Sequence, residues 1–377
     1  MSNSTIEQLA EFGQSVWLDN ISRSIIESGR LQKLIELGLR GMTSNPTIFE
    51  KAISESSDYN EKIKQLHKTG KSTFEIYDHL TVRDIQDAAD MFKPVYEKTN
   101  GQDGYVSLEI NPELAYKTAE TIEEGKRLHK KVDRPNLLLK VPATDEGFGA
   151  IEALLGDGIN INITLIFSLD QYVKTAHAFL RGMNKLIDKQ GDVSRVSSVA
   201  SVFVSRVDTV ADKMIDDATE QETDEAAKSE LQSLKGRAAV ANSALIYSKH
   251  IEVFSEKAFE LLEEKGARVQ RVLWGSTGTK NPAYSDVKYV AELIAKNTVN
   301  TLPDQTLEAF LDHGVVKEAL TAAAEESRKT IDSLKRFGID IDSICAKLLV
   351  DGAAAFTKSF ESLLLTIEKT AEEARVQ

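Results

Sequence analysis

Eight short, nearly continuous apolar runs punctuate the chain, with helix-period stripes between them. The runs are Ser15–Asp19, Leu39–Thr43, Tyr105–Ile110, Asn136–Val141, Ile161–Phe167, Val196–Val204, Gln270–Trp274 and Thr298–Leu302. Continuous rather than alternating apolarity marks strands covered on both faces, the habit of parallel sheets. Between them, Leu31/Leu34/Ile35 stop at Gly38, Val82/Ile85/Ala89/Phe92 follow Thr81 as a candidate N-cap, and Val240/Ala244/Tyr247/Ile251 form another stripe. Strands alternating with helices make right-handed β-α-β units. Eight of them predict a closed (β/α)₈ barrel, although an open doubly wound sheet satisfies the same count. Two connections, near 46–104 and 206–268, are long enough to hold extra helices, and the charged stretch Asp216–Lys235 reads as a solvated helical face. Phe356, Phe360, Leu363, Leu364 and Ile367 mark a last helix near 351–370. No repeat, low-complexity tract or Pro/Gly-rich linker divides the 377 residues, so a single barrel domain over 1–377 is expected.

Charge and rare residues exclude several functions. The chain has 46 Lys and Arg against 59 Asp and Glu, a formal charge of −13, which is wrong for a general nucleic-acid binder. A small anion needs only a local basic pocket and stays possible. A single cysteine, Cys345, rules out a disulfide framework and a Cys-rich zinc site, and the six histidines are scattered with no metal-binding spacing. Met1–Gln14 is polar and lacks the apolar core of a leader peptide. No run approaches the about 18 apolar residues of a membrane span. A cytoplasmic protein without metal is the expectation.

Polar residues that interrupt the apolar pattern locate the chemistry. Lys140 follows Leu137–Leu139 and precedes Val141-Pro142, with Asp145 as candidate cap of the next helix. It therefore sits near the carboxyl end of a strand, the end that carries barrel active sites. An ammonium held there is poorly solvated, and its neutral form is a nucleophile toward carbonyls. A rim lysine reaching solvent fits the same position. Asp19 ends the first run, where a turn or cap is the plainer reading. Glu109 lies between Leu108 and Ile110, where an unpaired carboxylate would be costly, so it needs an ion pair or a catalytic task. Asn162 and Thr164 share one face of their strand by period two. Thr43-Ser44-Asn45-Pro46 follows the second strand, as turn chemistry or as hydroxyl ligands. A lysine, two carboxylates, two asparagines and a threonine near strand ends suit Schiff-base chemistry. Ser205-Arg206 opens a helix after the sixth strand, and Gly275-Ser276-Thr277-Gly278-Thr279-Lys280 follows the seventh. The loop lacks Walker spacing but could cradle a phosphate.

These segments resemble the transaldolase family over nearly the whole chain. The likeness runs from VWLDNISR through GMTSNPTIF, VSLEINPELA, LLLKVPATDEG, NINITLIFS and SVFVSRVD to LWGSTGTKNPAYSD and TVNTLP. The STGTKNP form is similar to the bacterial and plant-type branch. The resemblance implies a class I aldolase-type barrel without metal or organic cofactor, acting on sugar phosphates as a monomer or homodimer in the non-oxidative pentose phosphate pathway. It implies Lys140 as the Schiff-base lysine, Asp19 as acid/base and Glu109 as the carboxylate working through a water held by Thr164. Asn45 and Asn162, with Thr43, would hold substrate hydroxyls. Arg206 would take the phosphate, helped by Ser276, Ser201 and Lys280. Three features depart from the family pattern: Asn111 replaces an aspartate, S-V-F-V-S-R stands for S-P-F-V-G-R, and Gly278 replaces an arginine. A Schiff-base phosphoaldolase that releases its three-carbon unit to water, or a non-catalytic sugar-phosphate-binding barrel, would share much of this constellation.

Overall fold

The computed structural model describes residues 3–322 and 324–373. The termini of the 1–377 span at 1–2 and 374–377, and residue 323, lie outside the described residues. All eight apolar runs form strands: β1 Gln14–Leu18, β2 Gly41–Thr43, β3 Tyr105–Glu109, β4 Leu137–Pro142, β5 Ile161–Ile166, β6 Ser198–Phe203, β7 Arg271–Gly275 and β8 Thr298–Leu302. They pair in parallel in sequence order, and β8 returns to β1 from Gln14↔Thr298 to Leu18↔Leu302. The barrel is closed, which settles the choice against an open sheet.

Both strand faces are buried, as continuous apolarity predicts, but the two burials differ. One face packs on the surrounding helices; Leu137, Leu139 and Val141 of β4 belong to that outer core. The other points into the barrel, where Trp17, Tyr105, Leu138, Val199, Leu273 and Val299 form a separate plug. Strand side chains alternate in direction, so the inward residue two places beyond Leu138 is Lys140. Gly41 is required by that plug. A Cβ there would lie 2.7 Å from the Trp17 indole, closer than carbon atoms approach.

The 46–104 connection holds helices Pro46–Ser54, Asn60–Lys68 and Thr73–Lys98. Thr81 is not an N-cap. Ser72 caps the last of these in a reciprocal box with Glu75, and Thr81 lies inside the helix, donating to the Tyr77 carbonyl at 3.0 Å. Asp145 is likewise not the cap of its helix. Thr144 accepts from Gly147 N, and Asp145 is the first residue of Asp145–Leu155. The 206–268 connection holds Ser205–Gln221, Glu225–Ser233, Ala238–Phe254 and Lys257–Glu263.

The last helix is longer than the apolar stripe suggests, a 32-residue span from Ile341 to Glu372. It packs on Pro46–Ser54, which follows β2, and on Ser205–Gln221, which follows β6. Those strands lie on opposite sides of the closed barrel, so this helix crosses its carboxyl end. Its approach is close: a Cβ on Gly352 would sit 3.1 Å from Leu165.

Candidate active site

The inward positions at the carboxyl ends of the strands carry polar side chains where the middle of the barrel carries the apolar plug. In register, Glu109 of β3 pairs with Lys140 of β4, and Lys140 with Asn162 of β5. The Lys140 Nζ lies 3.0 Å from Glu109 Oε2 and donates to the Ser44 carbonyl at 2.9 Å. Its third neighbour is aromatic, the Phe356 ring of the last helix, at 5.9 Å. Lys140 and Glu109 are 4% and 6% exposed, so this is a buried ion pair rather than a rim lysine. The apolar residues flanking Lys140 in sequence face the helices and leave its amine among polar partners.

Burial raises the Glu109 carboxyl above its ordinary range, with the Lys140 charge opposing and Asp19 reinforcing. Asp19, at the end of β1, is raised for the same first reason. Lys140, a hydrogen bond from Thr43 and Arg206 pull it back, and Asp304 pushes it up. Thr43 Oγ1 donates to Asp19 Oδ1 at 2.7 Å and lies 2.7 Å from Thr301 Oγ1. Ser201 donates to Asn162 Oδ1 at 2.6 Å, and Asn162 Nδ2 donates to Ser107 at 3.1 Å. The Thr164 hydroxyl is buried with no partner among the described residues. The next residue, Leu165, has φ 58°, where β5 shifts register between Ile163 and Ile166. A buried hydroxyl without a partner beside strained backbone suits a bound water or substrate atom.

A cavity of about 230 Å³ opens above these groups. Asp19, Thr43, Asn45, Lys140 and Ser201 line it from the strand ends; Arg206, Ser276 and Lys280 line its rim. Glu109, Asn162 and Thr164 stand behind that wall; Glu109 meets it through Lys140 and Asn162 through Ser201. Asn45 has a second duty, since its side chain caps Pro46–Ser54 through Ile48 N at 3.0 Å. The rim loops after β6 and β7 are tied together, with Ser205 N donating to the Ser276 carbonyl at 3.0 Å and their hydroxyls 3.1 Å apart. Ser276 holds φ 53° there. Burial disfavours the Arg206 charge, with Asp19 opposing; Lys280 is pulled down by partial loss of solvation and then by Arg206. Neither forms an ion pair among the described residues, so both are open to an anion.

Behind the rim, Asp208 accepts from Tyr289 at 2.8 Å and Asp212 from Tyr284 at 2.6 Å. The helix that begins with Ser205-Arg206 thereby holds the segment after Lys280. Sequence reasoning missed the wall residues Thr301, Phe203, Phe356 and Lys51. Thr301 had a signal, an inward polar residue at the end of β8. Phe356 had none, because only the crossing of the last helix brings it to the mouth.

Fold and site together define a (β/α)₈ barrel enzyme with a lysine–carboxylate centre beneath a cationic rim. The family model "Transaldolase/Fructose-6-phosphate aldolase" matches residues 16–367. A transaldolase of Trichodesmium erythraeum is 44% identical over 365 residues, 96% of each chain. One of Saccharopolyspora erythraea is 45% identical over 376 residues, covering 99% of this chain and all of its own. The chain belongs to the transaldolase/fructose-6-phosphate aldolase family. No helix of the described residues is long and apolar enough to cross a membrane.

Proposed function

We propose that the chain, a transaldolase by family and by its full-length relatives, moves a dihydroxyacetone unit from sedoheptulose 7-phosphate to glyceraldehyde 3-phosphate through an imine on Lys140. The observation that carries this reading is the buried Lys140–Glu109 contact at 3.0 Å at the floor of a cavity with an unpaired cationic rim. Glu109 takes a proton from the resting ammonium, which its raised proton affinity favours. The freed amine attacks the ketose C2, and the carbinolamine loses water by protons passed between Glu109 and a water on Thr164. The protonated imine then withdraws electrons from the C3–C4 bond. Asp19 accepts the C4 hydroxyl proton as that bond breaks; its hydrogen bond from Thr43 holds the carboxylate in place. Erythrose 4-phosphate leaves and a three-carbon enamine stays on Lys140. Glyceraldehyde 3-phosphate enters, the steps reverse, and fructose 6-phosphate is released, a ping-pong sequence. Asn45, Asn162 and Ser201 orient hydroxyls; Arg206, Ser276 and Lys280 hold phosphate. We place the reaction in the cytoplasm, on a monomer or homodimer.

Borohydride added with fructose 6-phosphate should reduce the imine, inactivate the enzyme and leave the added mass on the peptide containing Lys140. A label on a different lysine defeats the assignment. Carbon–carbon cleavage that proceeds equally well without an acceptor aldose favours the phosphoaldolase reading over transfer.

A further inference from the structure

Lys51 stands where neither the strand-end pattern nor the resemblance places a functional residue. It lies on helix Pro46–Ser54, exposed to solvent, and lines the active-site cavity with Thr47 and Ile48. The spacing 47, 48, 51 puts all three on one helical face. The helix itself is held firmly. Asn45 caps it, Thr47 Oγ1 meets Ser359 Oγ at 2.9 Å, and Glu50 accepts from Ser362 at 3.2 Å. The Lys51 ammonium, by contrast, has no ion pair or hydrogen bond among the described residues.

The cavity wall thus carries three cations without a carboxylate in contact: Arg206, Lys280 and Lys51. The first two follow β6 and β7. Lys51 follows β2, four strands away from β6 around the closed barrel. It therefore faces the phosphate rim across the mouth. A chain of net charge −13 repels a sugar phosphate in solution, and cations around a low-dielectric opening reverse that field locally. An exposed, flexible lysine on the far side suits transient contact with a phosphate in passage. The half-buried Arg206 suits retention.

We propose that Lys51 is a capture cation for the phosphate of aldose phosphates entering and leaving the mouth, and so a determinant of preference for phosphorylated over neutral aldoses. The proposal rests on the transaldolase reading. Its effect belongs to kcat/KM, since Lys51 meets the phosphate before the bond-forming step and lies apart from Lys140, Glu109 and Asp19.

The test uses the full-length enzyme with fructose 6-phosphate as donor and glyceraldehyde 3-phosphate or unphosphorylated glyceraldehyde as acceptor, at low and high ionic strength. For Lys51→Gln, kcat/KM for the phosphorylated acceptor should fall about fivefold at low salt, as expected for one charge acting on a dianion through solvent. Lys51→Glu should lower it about 20-fold, and Lys51→Arg should stay near wild type. The differences should collapse in about 0.5 M salt, where screening is short. kcat, use of the neutral acceptor and borohydride labelling of Lys140 should not change. Equal losses with both acceptors, or no loss with the phosphorylated one, overturn the role of Lys51 alone. A wild-type chain that transfers to no acceptor overturns the reaction reading and this role with it. Should Lys51→Glu fail to fold, the exposed-site variant Lys51→Gln carries the same decision.

Discussion

Two buried ion pairs lie at opposite ends of the barrel interior. At the amino end Arg271 and Asp103 are 2.8 Å apart and 7% and 6% exposed. At the carboxyl end Lys140 and Glu109 are 3.0 Å apart and 4% and 6% exposed. Separation and burial hardly distinguish them; their surroundings do. Arg271 also donates to Ser15 and to the Gln102 carbonyl, while Asp103 accepts from Ser15 and Trp17. Both carboxylate oxygens of Asp103 are therefore held by protein donors. Both pairs border a cavity, of about 310 Å³ beside Arg271 and about 230 Å³ beside Lys140, but only the Lys140 pair has near it an unpartnered Thr164 hydroxyl and a second carboxylate, Asp19, whose proton affinity is raised. A buried pair whose carboxylate oxygens are both held by protein donors ties strands together, here β1 and β7 through Ser15 and Arg271. One with capacity left over can change partners, as a covalent mechanism requires.

The largest effect expected from breaking this comparison is chemical. Lys140→Arg keeps a cation beside Glu109 but stays protonated, so turnover should be almost abolished while the thermal midpoint moves little. Asp19→Ala should form the imine yet cleave it about 10²- to 10⁴-fold more slowly in single turnover. Glu109→Ala should slow imine formation itself. Two variants blocked at one step would remove the division of roles. Because Asp19 must be ionised to accept the hydroxyl proton and its pKa is raised, wild-type activity should fall as pH drops, beginning above the ordinary carboxylate range. An acid limb at the usual range would contradict the cost of its burial.

The next effect belongs to the amino end. Asp103→Ala leaves Arg271 buried without its anion and should cost about 3–5 kcal/mol in urea unfolding, with activity of the folded enzyme retained. Lys140→Met should cost less, because Glu109, already inclined to bind a proton, can become neutral. Equal losses at both ends would erase the contrast. The smallest effect is at the rim. Lys280→Ala should weaken phosphate use by about 1.5 kcal/mol, the low end for a hydrogen bond to a charged group, seen as a higher KM for fructose 6-phosphate but not for fructose. An unchanged KM makes Lys280 a solvent-facing loop lysine and leaves Arg206 as the principal phosphate ligand.

Legibility followed distance along the chain. Residues on strand ends were readable because period two converts position into direction, and Glu109, Lys140, Asn162 and Thr164 all break apolar runs at inward places. Caps were readable only to within a residue or more. Thr144 rather than Asp145, and Ser72 rather than Thr81, accept the free N–H groups, since several hydroxyl and carboxylate side chains could serve and local geometry chooses one. Lys51 looked like any helix-surface lysine, and Phe356 like any core aromatic.

The alternation of buried strands and amphipathic helices determined a parallel sheet covered on both faces by helices, and left open whether that sheet closes. The sequence also determined which side chains share a strand face, through the two-residue repeat. Tertiary structure alone decided the rest. Closure of β8 onto β1 brought Asp19 to the same cavity as Lys140, and register set Lys140 against Glu109. The 32-residue last helix laid Phe356 over the amine. Contacts between residues hundreds of positions apart leave no local period to read, because they depend on how whole elements pack and not on how neighbouring residues alternate.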